Sequence, residues 1–390
     1  MKEGFSMKKA IMYGGGNIGR GFIGKVFAES GYEVVFLDIM QALIDEMNRR
    51  GEYTVRIVSN AETINCPVKP VRAVNASTEQ AIDEIVTCDI MATAVGVNIL
   101  PRIAPTVAKG VVARMERTGK PLDIILCENQ LEADKLMRGW IYEYLTDEQK
   151  AWADQNLGLV EASIGRMVPP LTPEMRAQDP LLICVEPYSD LPVDKDAFKG
   201  EIPDLVGLIP YTPFDFYIKR KLFLHNGGHA LCAYLGNMKG YEYIWEAIAD
   251  PEIYEAAKAS MNTSAQALIA QFGEEIRENV ENNVVDLLFR FQNRALKDTV
   301  ARVGADPVRK LRRNDRIVGA ALYAMEQGID PAPIINGIIA ALKFDMEGDP
   351  TAGEVQAALK EQGIDYVIEK YMGLSREEKL FGMIKAAYEA

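Results

Sequence analysis

The sequence predicts an α/β chain, in which an N-terminal domain built on a parallel sheet is followed by a mostly α-helical C-terminal domain. Three observations carry this expectation. Short apolar runs alternate with helical stretches through the first half, the alternation that parallel sheets require. A glycine-rich turn joins the first run to the first helix. Across residues 214–390 Ala, Leu, Glu and Lys dominate, and apolar residues recur at threes and fours, the helical period. A chain of 390 residues also exceeds what one hydrophobic core usually organises, so two domains are expected. The boundary is placed to give 1–208 and 209–390.

Residues 1–6 read as an extension, because Met7 directly precedes the first strand-like run, Lys9 to Tyr13. Glycines stop that run, 19–30 reads as a helix, and Gly31 ends it. Val34, Val35, Phe36, Leu37 and Asp38 then form a second buried strand that finishes on an acid. Strand, turn, helix and strand make a βαβ unit, whose sheet must be covered on both faces. Further strand-like runs lie at 53–58, 90–95 and 124–127. A proline-bearing, strand-rich stretch at 158–188 reads as the end of the sheet and a crossover.

The formal net charge of −13 disfavours nucleic acid or an anionic membrane as partner, since a field of that sign repels phosphate. An anionic substrate would therefore need a local basic site. Five scattered cysteines without a C-x-x-C pair suit a reducing, cytoplasmic setting and argue against a cysteine-based zinc site. With only His225 and His229 available, a histidine-rich metal site is excluded, whereas the residues leave a carboxylate-rich one open. No apolar run is long enough to span a bilayer.

Gly14-Gly15-Gly16-Asn17-Ile18-Gly19 contains G-x-G-x-x-G after a strand and at the opening of a helix. Gly14 makes the tight turn, Gly16 lets backbone approach a pyrophosphate, and Gly19 allows the helix to pack closely on the strand. Asn17 and Ile18 lie at the helix N-terminus, where free N–H groups and a partial positive charge favour phosphate. Asp38 follows at roughly the 20-residue interval at which an acid accepts the adenosine ribose hydroxyls. This combination predicts a Rossmann-type dinucleotide site that prefers NAD, because the Asp38 carboxylate would oppose a 2′-phosphate. Thr93, Ala94 and Val95, before Gly96, end a later strand. They either line the cofactor cleft or simply terminate the strand.

Lys221-Leu222-Phe223-Leu224-His225-Asn226-Gly227-Gly228-His229 is the most informative run. On an α-helix, with Lys221 at zero, Asn226 falls near about 140° and His229 near about 80°, one broad face. Oxidising a secondary alcohol needs a base for the hydroxyl proton and donors for the developing alkoxide. A lysine held neutral serves as the base, and an amide as a donor. Lys221 and Asn226 are the candidates, with His229 placed to bond a neighbouring substrate hydroxyl. The same spacing also suits an ordinary amphipathic helix with a satisfied core histidine. The paired glycines suggest close approach of cofactor, substrate or another backbone.

Between Asp306 and Arg316, five basic residues fall in the last eight positions of an otherwise acidic chain. Asp306 and Pro307 read as cap and first turn of a helix. Arg309, Lys310 and Arg316 are the candidate ligands of a substrate phosphate, arginine's planar fork suiting it best. A solvated charged face is the alternative.

From Met7 almost to its end the chain resembles the long-chain polyol (mannitol) dehydrogenase family. The resemblance is carried by GGGNIGRGFIGK at 14–25, TAVG at 93–96, RIAPTVAKG at 102–110, CEN at 127–129 and RMVPP at 166–170. It continues in KLFLHNGGHALCAYLG at 221–236 and in LKDTVARVG and DPVRKL between 296 and 311. It implies a Rossmann domain followed by a helical one, catalysis without zinc, Lys221 as base, and Asn226 and Asn129 as the two halves of an oxyanion hole. It also implies a substrate contact at Arg166. The expected reaction interconverts a polyol phosphate and a ketose phosphate with NAD, in a monomer or small homo-oligomer. A free polyol, a sugar acid of the altronate, mannonate or tagaturonate type, or a non-catalytic NAD-binding role are the rivals. Gly165 stands where close relatives usually carry aspartate, and Lys219 where they commonly carry an acid. The β-hydroxyacid dehydrogenases pair lysine and asparagine at K-x-x-x-N spacing, one residue shorter than Lys221 to Asn226.

Overall fold

The computed structural model describes residues 7–130, 132–169 and 171–390. The proposed extension at 1–6 and Pro170 of the RMVPP run lie outside them. Two compact units divide the chain, the first ending at Phe214 and the second beginning at Asp215. That division falls six residues beyond the boundary read from the sequence.

The first unit is organised by a six-stranded sheet made from β1 (Lys9–Tyr13), β2 (Glu33–Asp38), β5 (Val71–Asn75), β6 (Ile90–Thr93), β7 (Leu122–Leu126) and β8 (Leu157–Glu161). The spatial order is β5-β2-β1-β6-β7-β8, with every neighbouring pair parallel. This is the doubly wound order whose reversal point lies beside the first strand. Side chains alternate between the faces as the pleat demands. Ala10, Met12, Val34 and Phe36 enter one core with Phe22 and Phe27, whereas Ile11, Val35 and Leu37 enter the other with Val107 and Ile124. Burial on both faces explains why these strands read as continuous apolar runs.

β3 (Tyr53–Val58) is a strand, as its residues suggest, but it stands outside this sheet. It pairs antiparallel with β4 (Thr63–Val68) and parallel with β9 (Ile183–Val185). β10 (Leu191–Asp194) and β11 (Leu208–Tyr211) form a further parallel pair. The stretch after β8 thus adds one strand to a small sheet begun by β3 and β4 and forms a second small sheet of its own, rather than making a simple crossover.

The second unit is helical. Its longest helix, Pro251–Phe272, starts at Asp250, whose carboxylate accepts the Glu252 and Ile253 amides and so satisfies orphan N–H groups of the first turn. That helix packs against Gly227–Met238 and Ala332–Leu342. Tyr234, fully buried, meets Phe344 edge-on at 5.1 Å between ring centroids. No helix among the described residues is long and apolar enough to cross a membrane.

Candidate cofactor loop and catalytic cluster

The glycines after β1 are each constrained in their own way. Gly14 has φ of 101°, and a Cβ there would lie 2.7 Å from the Ala94 carbonyl oxygen. A Cβ on Gly19 would fall 2.0 Å from the Gly14 oxygen, so the first helix can follow the turn only with glycine. Above Gly16, by contrast, a Cβ would meet nothing, which leaves the middle of the loop open. The Gly15 amide donates to Asp38 Oδ2 at 2.7 Å, and the amides of Ile39 and Met40 donate to Oδ1. Asp38 is therefore tied to the glycine loop as well as to its own turn. Arg20, buried, locks the loop from behind through Nε to the Gly15 carbonyl at 2.6 Å and Nη1 to Leu181 at 2.8 Å. This open, amide-lined turn beside an acid fits a dinucleotide pyrophosphate and ribose.

Thr93, Ala94 and Val95 follow from β6 beside that loop, the Ala94 amide donating to Tyr13 O. Glu128, missed in the sequence though it sits inside the CEN run, organises this edge. Its buried carboxylate accepts Thr93 Oγ1 at 2.8 Å and the Val95 amide at 3.0 Å. Burial pushes its pKa above the usual carboxylate range against the pull of those donors. The adjoining Asn129 is exposed.

In the second unit, the stretch expected to be a plain α-helix is a π-helix over Arg220–Asn226, and the α-helix Gly227–Met238 continues from it. The Gly227 amide donates back to the Leu222 carbonyl, five residues earlier. In such a turn residues five apart take the relation that residues four apart have in an α-helix, and single π turns favour functional sites. Asn226 is thereby brought nearly over Lys221, closer than the α-helical estimate. Burial agrees, because Lys221, Asn226 and His229 are partly accessible while Phe223, Leu224, His225, Gly227 and Gly228 are buried.

The paired glycines face protein. A Cβ on Gly227 would lie 2.9 Å from the Arg316 carbonyl oxygen, and one on Gly228 would lie 2.6 Å from Met261 Sδ. Arg316 is thus packed against the Lys221–His229 segment. Burial drives the His225 imidazole well below the usual histidine range, and the charges of Arg290, His229, Lys221 and Arg316 act in the same direction. His229 stacks on Phe291 at 4.7 Å and 10°, with Nε2 3.1 Å from Asp298 Oδ2. Asp298 lies in the LKDTVARVG run and was not singled out in the sequence.

The basic run behaves unevenly. Arg309 pairs with Asp306 at 2.9 Å and Arg316 with Asp315 at 2.7 Å. Lys310 is buried and donates to the carbonyls of Val303 and Ala305. Burial, then Arg316 and Arg309, lower its pKa to about 7. The helix that Asp306 caps is only Pro307–Lys310, and the Asp306 carboxylate itself accepts the Arg309 amide. So short a helix, already capped by its own aspartate, has few free N–H groups to offer an anion.

Arg166 is buried in the first unit, with Nε on the Glu186 carbonyl at 3.0 Å and its guanidinium 5.2 Å from the Phe22 ring centre. The Tyr188 ring stands 3.0 Å from where a Cβ on Gly165 would be, so it fills the room a side chain there would take. Lys219 pairs with Asp215 at 2.8 Å and Gln271 at 3.0 Å, over the Tyr323 ring at 5.0 Å.

The family model of the mannitol dehydrogenase Rossmann domain matches residues 8–207, and that of the mannitol dehydrogenase C-terminal domain matches residues 214–390. Among solved structures, Pseudomonas fluorescens mannitol 2-dehydrogenase, in a ternary complex with NAD and D-mannitol, aligns with a TM-score of 0.73 at 16% identity, covering 99% of this chain and 91% of that one. A substrate-free D-sorbitol dehydrogenase aligns with a TM-score of 0.82 at 16% identity, covering 98% and 93%. At such identity these likenesses establish the fold, and the two family models, which between them span nearly the whole sequence, establish that the chain belongs to the mannitol dehydrogenase family.

Proposed function

We propose that the protein is an NAD-dependent dehydrogenase that interconverts a polyol phosphate and a ketose phosphate, of the mannitol 1-phosphate and fructose 6-phosphate type that mannitol-1-phosphate 5-dehydrogenase uses. The observation that carries the reading is that Lys221 and Asn226, on one π-turn, and His229, in the α-helix that continues it, stay partly accessible while most residues between them are buried, in a member of this family. Gly14, Gly16, Gly19 and Asp38 would hold the dinucleotide, with Asn17, Ile18, Thr93, Ala94 and Val95 beside them. When bound, the nicotinamide ring supplies the hydride acceptor for oxidation and the donor for reduction. Lys221, as the neutral amine, takes the proton from the reacting hydroxyl. Asn226 donates to the same oxygen as negative charge develops, with Asn129 as the second donor that the family resemblance implies. His229 bonds a neighbouring hydroxyl.

Arg316, packed against Gly227, is the best-supported contact for a phosphate, and Arg309 is the second. Lys310, turned to backbone carbonyls, supports the site from within. A free polyol or sugar acid is the second reading. It is favoured by the acidic partners already paired with both arginines and by the D-mannitol, which carries no phosphate, in the Pseudomonas fluorescens mannitol 2-dehydrogenase complex. A silent NAD-binding protein would have no need of the Lys221 cluster.

The test is NADH consumption with fructose 6-phosphate, free fructose and a keto-acid such as tagaturonate. Arg316→Ala should raise KM for fructose 6-phosphate far more than for fructose. Lys221→Ala should keep NADH binding while kcat drops by roughly 10² to 10⁴. Equal efficiency of the wild type on both sugars sinks the phosphate assignment. Near-normal turnover of folded Lys221→Ala removes the lysine base.

A further inference from the structure

Asp298 is a buried carboxylate just ahead of the helix Val300–Gly304, and its backbone carbonyl accepts the Ile244 amide. Burying a carboxylate is costly unless its charge is answered. Two groups answer this one, one at each oxygen. Arg302 donates Nε to Oδ1 at 2.7 Å, and His229 Nε2 stands 3.1 Å from Oδ2. Burial alone would raise the Asp298 pKa, yet these two partners hold it below the usual carboxylate range. The Nε2 contact lies off the ring N–H direction, and no other polar atom of the described residues reaches that buried nitrogen.

The His229 ring is therefore fixed twice. Its plane is set by the near-parallel stack on Phe291, and the side to which Nε2 turns is set by Asp298. A neutral imidazole donates from one nitrogen and accepts at the other, the choice being made by the partner of either. Beside a carboxylate the proton belongs on Nε2. Nδ1 is then an acceptor, and it matches a substrate group that donates, namely a hydroxyl.

We propose that Asp298 is a positioning residue of the reaction: anchored by Arg302, it sets the tautomer and orientation of His229 so that Nδ1 accepts a hydrogen bond from the substrate hydroxyl beside the reacting carbon. The proposal rests on the reading of His229 as a substrate contact. It deepens that reading by naming a vicinal diol, or an α-hydroxy ketone in the reverse direction, as the unit recognised. A sugar lacking that hydroxyl leaves Nδ1 without its partner.

The chain has only two histidines, so the ring nitrogens of ¹⁵N-histidine-labelled protein can be followed individually, with His229 assigned by its loss in His229→Ala. The wild type should show the Nε2–H form, and Asp298→Ala should lose that preference. With whichever ketose the protein reduces, fructose 6-phosphate or fructose, Asp298→Ala should raise KM roughly tenfold, the size of one lost hydrogen bond, with kcat less affected. In the His229→Ala background the same change should add nothing. If Asp298→Ala does not fold, Asp298→Asn, of equal size, carries the same readouts. An unchanged tautomer in a folded variant, or an undiminished effect without His229, overturns the proposal while leaving His229 as a contact. Full activity of His229→Ala overturns the contact itself, and the proposal with it.

Discussion

Glu161, the last residue of β8, shows how a single side chain can link stability to pH. Its carboxylate accepts the Ala133 amide at 2.9 Å. Burial first, then Asp134, Asp194 and Glu132, push its pKa up to about 7. The folded protein thus binds this proton more tightly than the unfolded chain does. The associated stability is fully present below the ordinary glutamate pKa and is lost as pH rises through about 7. Glu161→Gln keeps the amide contact and removes the charge. Its melting temperature should exceed that of the wild type at pH 8 and approach it at about pH 4, below the ordinary glutamate pKa, and a variant less stable at pH 8 would contradict the assignment. Neither this carboxylate nor Asp298 could be picked out in the sequence, since an acid among many acids acquires meaning only from what is packed around it. Gly14, Gly19 and Asp38 were legible because the turn they make permits so few alternatives.

At the scale of elements, helical periodicity located the Lys221 helix but not its extra-wide turn. Apolar spacing reports which residues are buried, and a stretch of seven is too short to reveal a change of pitch. β4 escaped notice for a different reason, its residues being mostly exposed and one of them proline, so no apolar run marks it. The glycine pair after the π-turn offers a test of how tightly this element is held. At Gly227 an added methyl meets the Arg316 backbone, which cannot swing aside, whereas at Gly228 it meets the end of a methionine side chain. Overpacking of this kind typically costs about 1–3 kcal/mol. Gly227→Ala should fall in that range and also depress kcat/KM, because it displaces the helix relative to Arg316. Gly228→Ala should be the milder of the two. Thermal melts and steady-state kinetics of both variants decide the matter, and the reverse order would mean that Met261 is the more rigid neighbour.

For the whole molecule, fold class and the two-domain plan were legible because they depend on patterns repeated over many residues. The two small sheets of the first unit were not, since β9, β10 and β11 are very short and β9 pairs with β3 from far along the chain. Two units with their own cores should melt as two cooperative transitions. Trp140 and Trp152 report the first unit and Trp245 the second, so Trp→Phe variants separate the signals. NADH at a hundred times its Kd should stabilise the first unit by about 2.7 kcal/mol. Calorimetry with tryptophan fluorescence should show the Trp140 and Trp152 transition moving upward more than that of Trp245. Identical shifts would mean that the chain unfolds as one body.

The π-turn also changes what sequence spacing can be asked to prove. A lysine and an asparagine four apart on an α-helix, and a lysine and an asparagine five apart on a π-turn, offer nearly the same pair of groups to a bound molecule. The one-residue difference that separates K-x-x-x-N from the Lys221 and Asn226 pair is therefore taken up by the width of the coil, and it separates the two patterns without separating the placement of the two groups. Where a motif is read as a count of intervening residues, the count measures backbone, while the reaction depends only on where the two side chains arrive.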